Sequence, residues 1–213
     1  MGTYNKGILG AFSGKVGPVV GATWRGKEVM RSLPKKGSRM ATDFQQAQRS
    51  KFAMTTEFLG GIQPVIKRYF GSDTGLKTRR NQAMSYLMKE ALVFNDPNYE
   101  WDYTKVLISK GDLLGMNNGQ VVAGTGQNLE FSWTDNSGQG EAQATDALVV
   151  VAYEPTSKTT VYNLNAGTRN SSSATLALPT FLSGLEVQVW ATFASADEKL
   201  AATSLYLGSV TVA

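Results

Sequence analysis

No cysteine and no histidine occur anywhere in the 213 residues. Without thiols, a disulfide framework and thiolate zinc ligation are excluded, and the redox compartment leaves no mark on the chain. Without imidazole, the usual general base, the Ser-His and Cys-His nucleophile pairs and the commonest transition-metal ligand are lost together. Long apolar runs are missing too. Gly7, Gly10, Gly14, Gly17 and Gly21 interrupt Ile8, Leu9, Phe12, Val16, Val19 and Val20, and no window approaches the roughly 18 apolar residues of a spanning helix. The sequence therefore predicts neither a Sec-type leader nor a membrane span. Lys6 stands where an N-myristoylation signal needs Ser or Thr. These absences leave the cytoplasm, or an assembly exported by another route, as the expected location.

Acidic residues are scarce in the first part of the chain. Residues 1–90 hold 16 Lys/Arg against 5 Asp/Glu, whereas residues 91–213 hold 5 against 12. Such a division suits contact with nucleic acid, with an anionic surface, or between copies packed head to tail. With 42% apolar and 18% charged residues, the chain is long enough to bury an ordinary core.

Residues 14–34 read as a hairpin, with strands over 16–24 and 27–33 joined at Arg25-Gly26. A lone two-stranded hairpin is marginal in water, so this one needs something to pack on. Pro34-Lys35-Lys36-Gly37-Ser38-Arg39 follows as a basic connector. Thr42 and Gln45 match a capping box, and Phe44, Ala47, Phe52, Thr55 and Leu59 at near-helical spacing predict a helix over 42–59, closed by Gly60-Gly61. Pro64 opens a second, short helix carrying Val65, Ile66 and Phe70. A third helix is predicted over 73–93, with Leu76, Ala83, Leu87, Ala91 and Leu92 on one side, ending at Asn95-Asp96-Pro97.

Beyond Pro97 the period changes from helical to alternating. Tyr99, Trp101 and Tyr103 alternate with acidic residues, and Val106-Leu107-Ile108 continues as a strand. Leu129, Phe131 and Trp133 alternate with polar residues, 148–153 is an unbroken apolar run, and Leu176/Leu178, Val187 to Phe193 and Leu205 to Val212 follow. About seven short strands separated by turn clusters predict an antiparallel sandwich. The predicted fold class is α+β: an N-terminal β-hairpin and about three helices in a basic domain, 1–97, then a β-sandwich domain, 98–213.

The order Trp-bearing strand, long apolar strand, Leu176-Ala177-Leu178-Pro179 and Val187-Gln188-Val189-Trp190-Ala191 resembles a fibronectin type III or immunoglobulin-like domain. The stretches Gly7-Ile8-Leu9-Gly10-Ala11-Phe12-Ser13-Gly14-Lys15-Val16-Gly17, Trp24-Arg25-Gly26-Lys27, 45–52 and 204–212 resemble an uncharacterised bacterial family of Bacteroidetes type, known only as a domain of unknown function. That resemblance covers nearly the whole chain and implies no activity. Similar Ser-Gly-Lys-x-Gly hairpins in phage and mobile-element proteins imply a role in assembly.

Gly10 to Lys15 fails as a P-loop, with three residues between its glycines instead of four and Val16 where Ser or Thr is required. Asp96, Glu100 and Asp102 match no calcium-loop spacing and read as solubilising charges. No catalytic, cofactor or metal residues are assigned, and an enzyme is not expected.

Three functions compete. A structural subunit would assemble with other copies through Val16, Val19, Val20, Trp24, Val29, Met30 and Leu33, an apolar set larger than a hairpin buries against itself. A nucleic-acid-binding protein would use Lys15, Arg25, Lys27, Arg31, Lys35, Lys36 and Arg39, with Arg79 and Arg80 on the third helix, as phosphate contacts; Trp24 would then stack on bases, although packing on the helices is the more ordinary fate for it. A carbohydrate- or surface-binding sandwich would expose Trp190 or Tyr206.

Overall fold

Turn glycines divide the start of the chain more finely than a hairpin. A computed structural model describes residues 2–4, 10–24, 26–35, 37, 40–73, 75, 77–95 and 98–213. It contains β1 (Gly2–Tyr4), β2 (Phe12–Val16), β3 (Val19–Trp24) and β4 (Lys27–Ser32), paired antiparallel in that order. The strand expected over 16–24 is broken because Gly17, at φ +58°, and Pro18 reverse the chain between Val16 and Val19. Gly26, at φ +75°, serves the next turn. Ser13, Gly14 and Lys15 lie within β2, not in a loop ahead of a helix.

The chain divides into two compact units, Met1–Thr42 and Asp43–Ala213. The 97/98 junction expected from periodicity therefore falls inside the second unit. Helix α1 (Asp43–Gly61) forms as its periodicity predicts, yet its buried residues are Thr55, Phe58 and Leu59, while Phe44 and Phe52 are exposed. Only its C-terminal half faces the core. Helix α2 (Gln63–Tyr69) has Pro64 in its first turn, where the missing N–H costs nothing, and buries Val65, Ile66 and Tyr69.

The third helix is much shorter than predicted: α3 covers Arg79–Tyr86. Thr78 starts it late, its hydroxyl accepting from the Asn81 N–H at 3.2 Å. A π turn over Leu87–Ala91 ends it, and Leu92 begins the hairpin of β5 (Leu92–Asn95) and β6 (Asn98–Trp101). Asn95 thus ends a strand, paired with Asn98, instead of ending a helix. Leu76, Asp96 and Pro97 lie outside the described residues. Residues 106–108 form no strand. The Ile108 N–H is taken by the Ser204 hydroxyl at 3.0 Å, which leaves single bridges at Phe70–Lys110 and Leu113–Ala202.

Seven strands complete the second unit: β7 (Asn117–Ala123), β8 (Asn128–Thr134), β9 (Ala147–Glu154), β10 (Thr159–Asn163), β11 (Ser173–Ala177), β12 (Glu186–Ala194) and β13 (Leu205–Thr211). They form two antiparallel sheets, β10-β9-β12-β13 and β11-β8-β7, an immunoglobulin/fibronectin III-like sandwich. Leu148, Val150, Ala152, Val189, Ala191 and Phe193 face Leu129, Phe131, Trp133 and Leu176 of the other sheet. The alternate residues Val149, Val151, Tyr153 and Trp190 face Phe58, Leu59, Ile62, Val65 and Ile66 of the helical layer. Strand β9 is therefore buried on both faces, the physical cause of its unbroken apolar run. The architecture is α+β, helices over a sandwich.

The sandwich also holds a buried ion pair, Arg169 Nε to Asp146 Oδ2 at 3.0 Å, with both side chains inaccessible. Hydrogen bonds from its guanidinium to Asn136 Oδ1 (2.6 Å) and the Leu114 carbonyl (2.9 Å) complete the site.

Candidate functional site

The register of the N-terminal sheet sorts the residues singled out from sequence onto two faces. Cross-strand partners share a face and neighbours along a strand oppose each other. Val16 pairs with Val19, Val19 with Ser32 and Gly21 with Met30, so Val16, Val19, Gly21 and Met30 lie on one side with Phe12, Gly14 and Glu28. Lys15 pairs with Val20, Val20 with Arg31, Ala22 with Val29 and Trp24 with Lys27, which puts these seven on the other. The seven expected assembly residues are therefore not one patch. Val16, Val19 and Met30 share one face, Val20, Trp24 and Val29 the opposite one, and Leu33 follows β4, its N–H bonded to the Pro18 carbonyl at 2.7 Å.

The first face is partly closed by its own chain. A Cβ on Gly21 would stand 2.0 Å from the Phe12 carbonyl oxygen, and one on Gly2 would stand 2.6 Å from a Val16 methyl. These glycines serve close packing within the sheet, so the space they leave is not available to another backbone.

The second face is open, basic and partly apolar. Val20, Ala22 and Val29 are half-buried, and Lys15, Trp24, Lys27 and Arg31 are exposed around them. It carries no carboxylate, since Glu28 lies on the other side. No ion pair occurs in Met1–Thr42 among the described residues. Trp24 is 59% exposed and Met30 72%, so Trp24 does not take the ordinary fate of core packing. Among the described residues of this unit only Gly21 is buried, so they form no core of their own.

The phosphate-contact candidates separate likewise. Lys15, Lys27 and Arg31 come together on the basic face, and Lys35 lies beyond β4. Arg25, Lys36 and Arg39 fall outside the described residues. Arg79 and Arg80 belong to α3 in the other unit. There Arg79 lines a cavity of about 360 Å³ with Arg68, Lys110 and Lys199. Glu198 (2.6 Å), Asp73 (3.9 Å) and Asp197 (2.9 Å) pair with Arg68, Arg79 and Lys199, leaving little net charge for an anion. The four cations are spread from residue 68 to 199, so no local sequence signal marks them.

Sequence reasoning also missed an apolar groove in the second unit. Asp43, Phe44, Ala47, Phe94 and Tyr99 enclose about 370 Å³ between the start of α1 and the β5–β6 hairpin. The Phe94 and Tyr99 rings lie 5.1 Å apart, and the Lys51 ammonium sits 4.9 Å from the Tyr99 ring centroid. Phe44 is 73% exposed. Its helical spacing with Ala47 marks a helix, and in the structure the pair forms one wall of an open groove.

The surface-binding reading of Trp190 and Tyr206 is overturned. Trp190 is fully buried, its ring 6.1 Å from Phe58 and 5.5 Å from Tyr206, because the helices cover the sheet face that an isolated sandwich would expose. Tyr206 is half-buried and donates to Gln188 Oε1 at 2.5 Å. Of the acidic trio, Asp96 lies outside the described residues, and Asp102 is held by the Thr104 hydroxyl (2.5 Å) and Lys105 (2.9 Å). Among the described residues no group of three acidic side chains is placed to hold a metal, and no helix is long and apolar enough to cross a membrane.

Among solved structures, the chain is similar to the fibronectin type III domain of the human collagen alpha-1(XX) chain, at 16% identity and a TM-score of 0.33, over 49% of this chain and 91% of that one. No curated protein matches it. The model of a family of unknown function, DUF6266, matches residues 11–208, across both compact units, and the chain belongs to that family.

Proposed function

We propose that this chain is a non-enzymatic structural subunit that assembles with copies of itself into a filament- or virion-like homopolymer through its N-terminal sheet and helices. The observation that carries the reading is the N-terminal unit itself, a four-stranded sheet with no buried apolar side chain among its described residues and with Val16, Trp24, Met30 and Leu33 exposed. A sheet needs a covered face for stability, and exposed apolar surface of this kind marks an interaction site. Charge supports the same direction. Residues 1–42 hold eight Lys/Arg against one Asp/Glu and residues 43–213 hold 13 against 16, which favours contact between unlike ends of successive copies.

A second reading, contact with single-stranded nucleic acid, draws on the basic face of Lys15, Lys27 and Arg31, which carries an exposed Trp24 and no carboxylate. One experiment separates the two. Sedimentation velocity of the full chain across protein concentrations and salt should give species larger than a monomer, and the chain lacking residues 1–42 should remain a folded monomer. A full chain that is monomeric throughout overturns self-assembly. If it then binds single-stranded DNA with an affinity that falls steeply with salt, the second reading replaces the first.

A further inference from the structure

The two open apolar surfaces differ in shape and in charge. One is the flat basic face of the N-terminal sheet, from which Trp24 protrudes. The other is the concave groove of Phe44, Ala47, Phe94 and Tyr99. A surface that is basic throughout does not complement itself, so two copies joined by this face alone would bring like charges together.

We infer that the Trp24 face of one copy seats in the Phe44–Phe94–Tyr99 groove of a second copy. The inference rests on the proposed self-assembly and names its contact. The groove's volume of about 370 Å³ is in the range of pockets that enclose small apolar groups, ~300–1,000 Å³, ample for an indole. Its walls offer Phe94 and Tyr99, rings that pair favourably with a third aromatic. Lys27 is the cross-strand partner of Trp24, so an inserted indole brings an ammonium group to the rim. There Asp43 contributes a carboxylate that makes no ion pair among the described residues. Lys51, held over the Tyr99 ring, is the one cation in direct contact with the groove's aromatic wall among the described residues, and the contact must tolerate it. Val20, Ala22 and Val29 then extend the apolar contact beyond the indole. Because the two surfaces are unlike, a joined pair keeps one free groove, on the copy whose sheet is used, and one free sheet, on the other copy. Such heterologous contacts extend into a chain unless the rotation closes.

The test uses two full-length variants, Trp24→Ala and Phe94→Asp, in sedimentation velocity, with near-UV circular dichroism to verify folding. Each alone should self-associate about 30-fold more weakly or worse, the loss typical of removing an aromatic anchor. An equimolar mixture should form a one-to-one dimer that does not extend, because the Phe94→Asp chain keeps its sheet and the Trp24→Ala chain keeps its groove. As a check independent of the aromatic changes, Lys27→Glu should weaken association and the double variant Lys27→Glu/Asp43→Lys should recover it. Wild-type assembly that persists in both single variants overturns this contact and leaves self-assembly standing, as does a mixture that stays monomeric. A wild-type chain that never associates overturns both.

Discussion

Arg169 shows how a single residue's role escapes local sequence. It is one of only five Lys/Arg in residues 91–213 and sits in a polar stretch, Thr168 to Ser173, where a surface cation would be unremarkable in composition. The fold buries it completely, with its guanidinium carbon 4.0 Å above the Phe193 ring and its carbonyl accepting from the Trp133 indole N–H at 2.7 Å. Removing one member of a buried pair strands the other charge, whereas replacing both with apolar residues does not. Arg169→Met should therefore cost roughly 3–5 kcal/mol in urea unfolding. The double variant Arg169→Met/Asp146→Leu should recover much of that loss, and equal destabilisation by the two would count against charge burial as the cause.

The adjacent glycines at the end of α1 make a comparison at the level of the element. A Cβ on Gly60 would meet nothing within 4 Å, while one on Gly61 would stand 2.5 Å from Thr160 Oγ1 and 3.1 Å from its Cβ. Gly61 lets the helix lie close to β10, and Gly60 only weakens it. Gly60→Ala should raise stability by about 0.5–1 kcal/mol, the usual gain in helix propensity, and Gly61→Ala should lower it by roughly 1–3 kcal/mol, as expected for overpacking. Thermal unfolding of the two single variants reads both. The pair Gly60-Gly61 was legible as a helix stop, but the difference between its members depends on β10, about a hundred residues away along the chain. The third helix stops short of its predicted end for the complementary reason. Its apolar residues keep helical spacing to Leu92, yet pairing of Leu92 with Trp101 across the hairpin outweighs the weak helical preference of the segment.

For the whole molecule, α1 and α2 share one core with β9 and β12, whereas the N-terminal sheet has no buried apolar side chain among its described residues. Limited proteolysis of unassembled protein should cut first within residues 1–42 and leave a resistant fragment beginning near residue 43 that retains the helices. Mass spectrometry of the fragment gives its start, and a resistant core beginning near residue 98 would show that the helices fold apart from the sandwich. What the chain determined by itself is the order of element types, the antiparallel sandwich, the turn glycines and the separation of charge, because side-chain period, turn chemistry and composition are local properties. What only the tertiary structure decided is which face of each element is covered. Helices over β12 bury Trp190, the register of β2, β3 and β4 parts Lys15, Lys27 and Arg31 from Val16, Val19 and Met30, and α1 leaves Phe44 beside Phe94 and Tyr99. Covering a face takes contacts between residues far apart in the chain, and no local pattern encodes them.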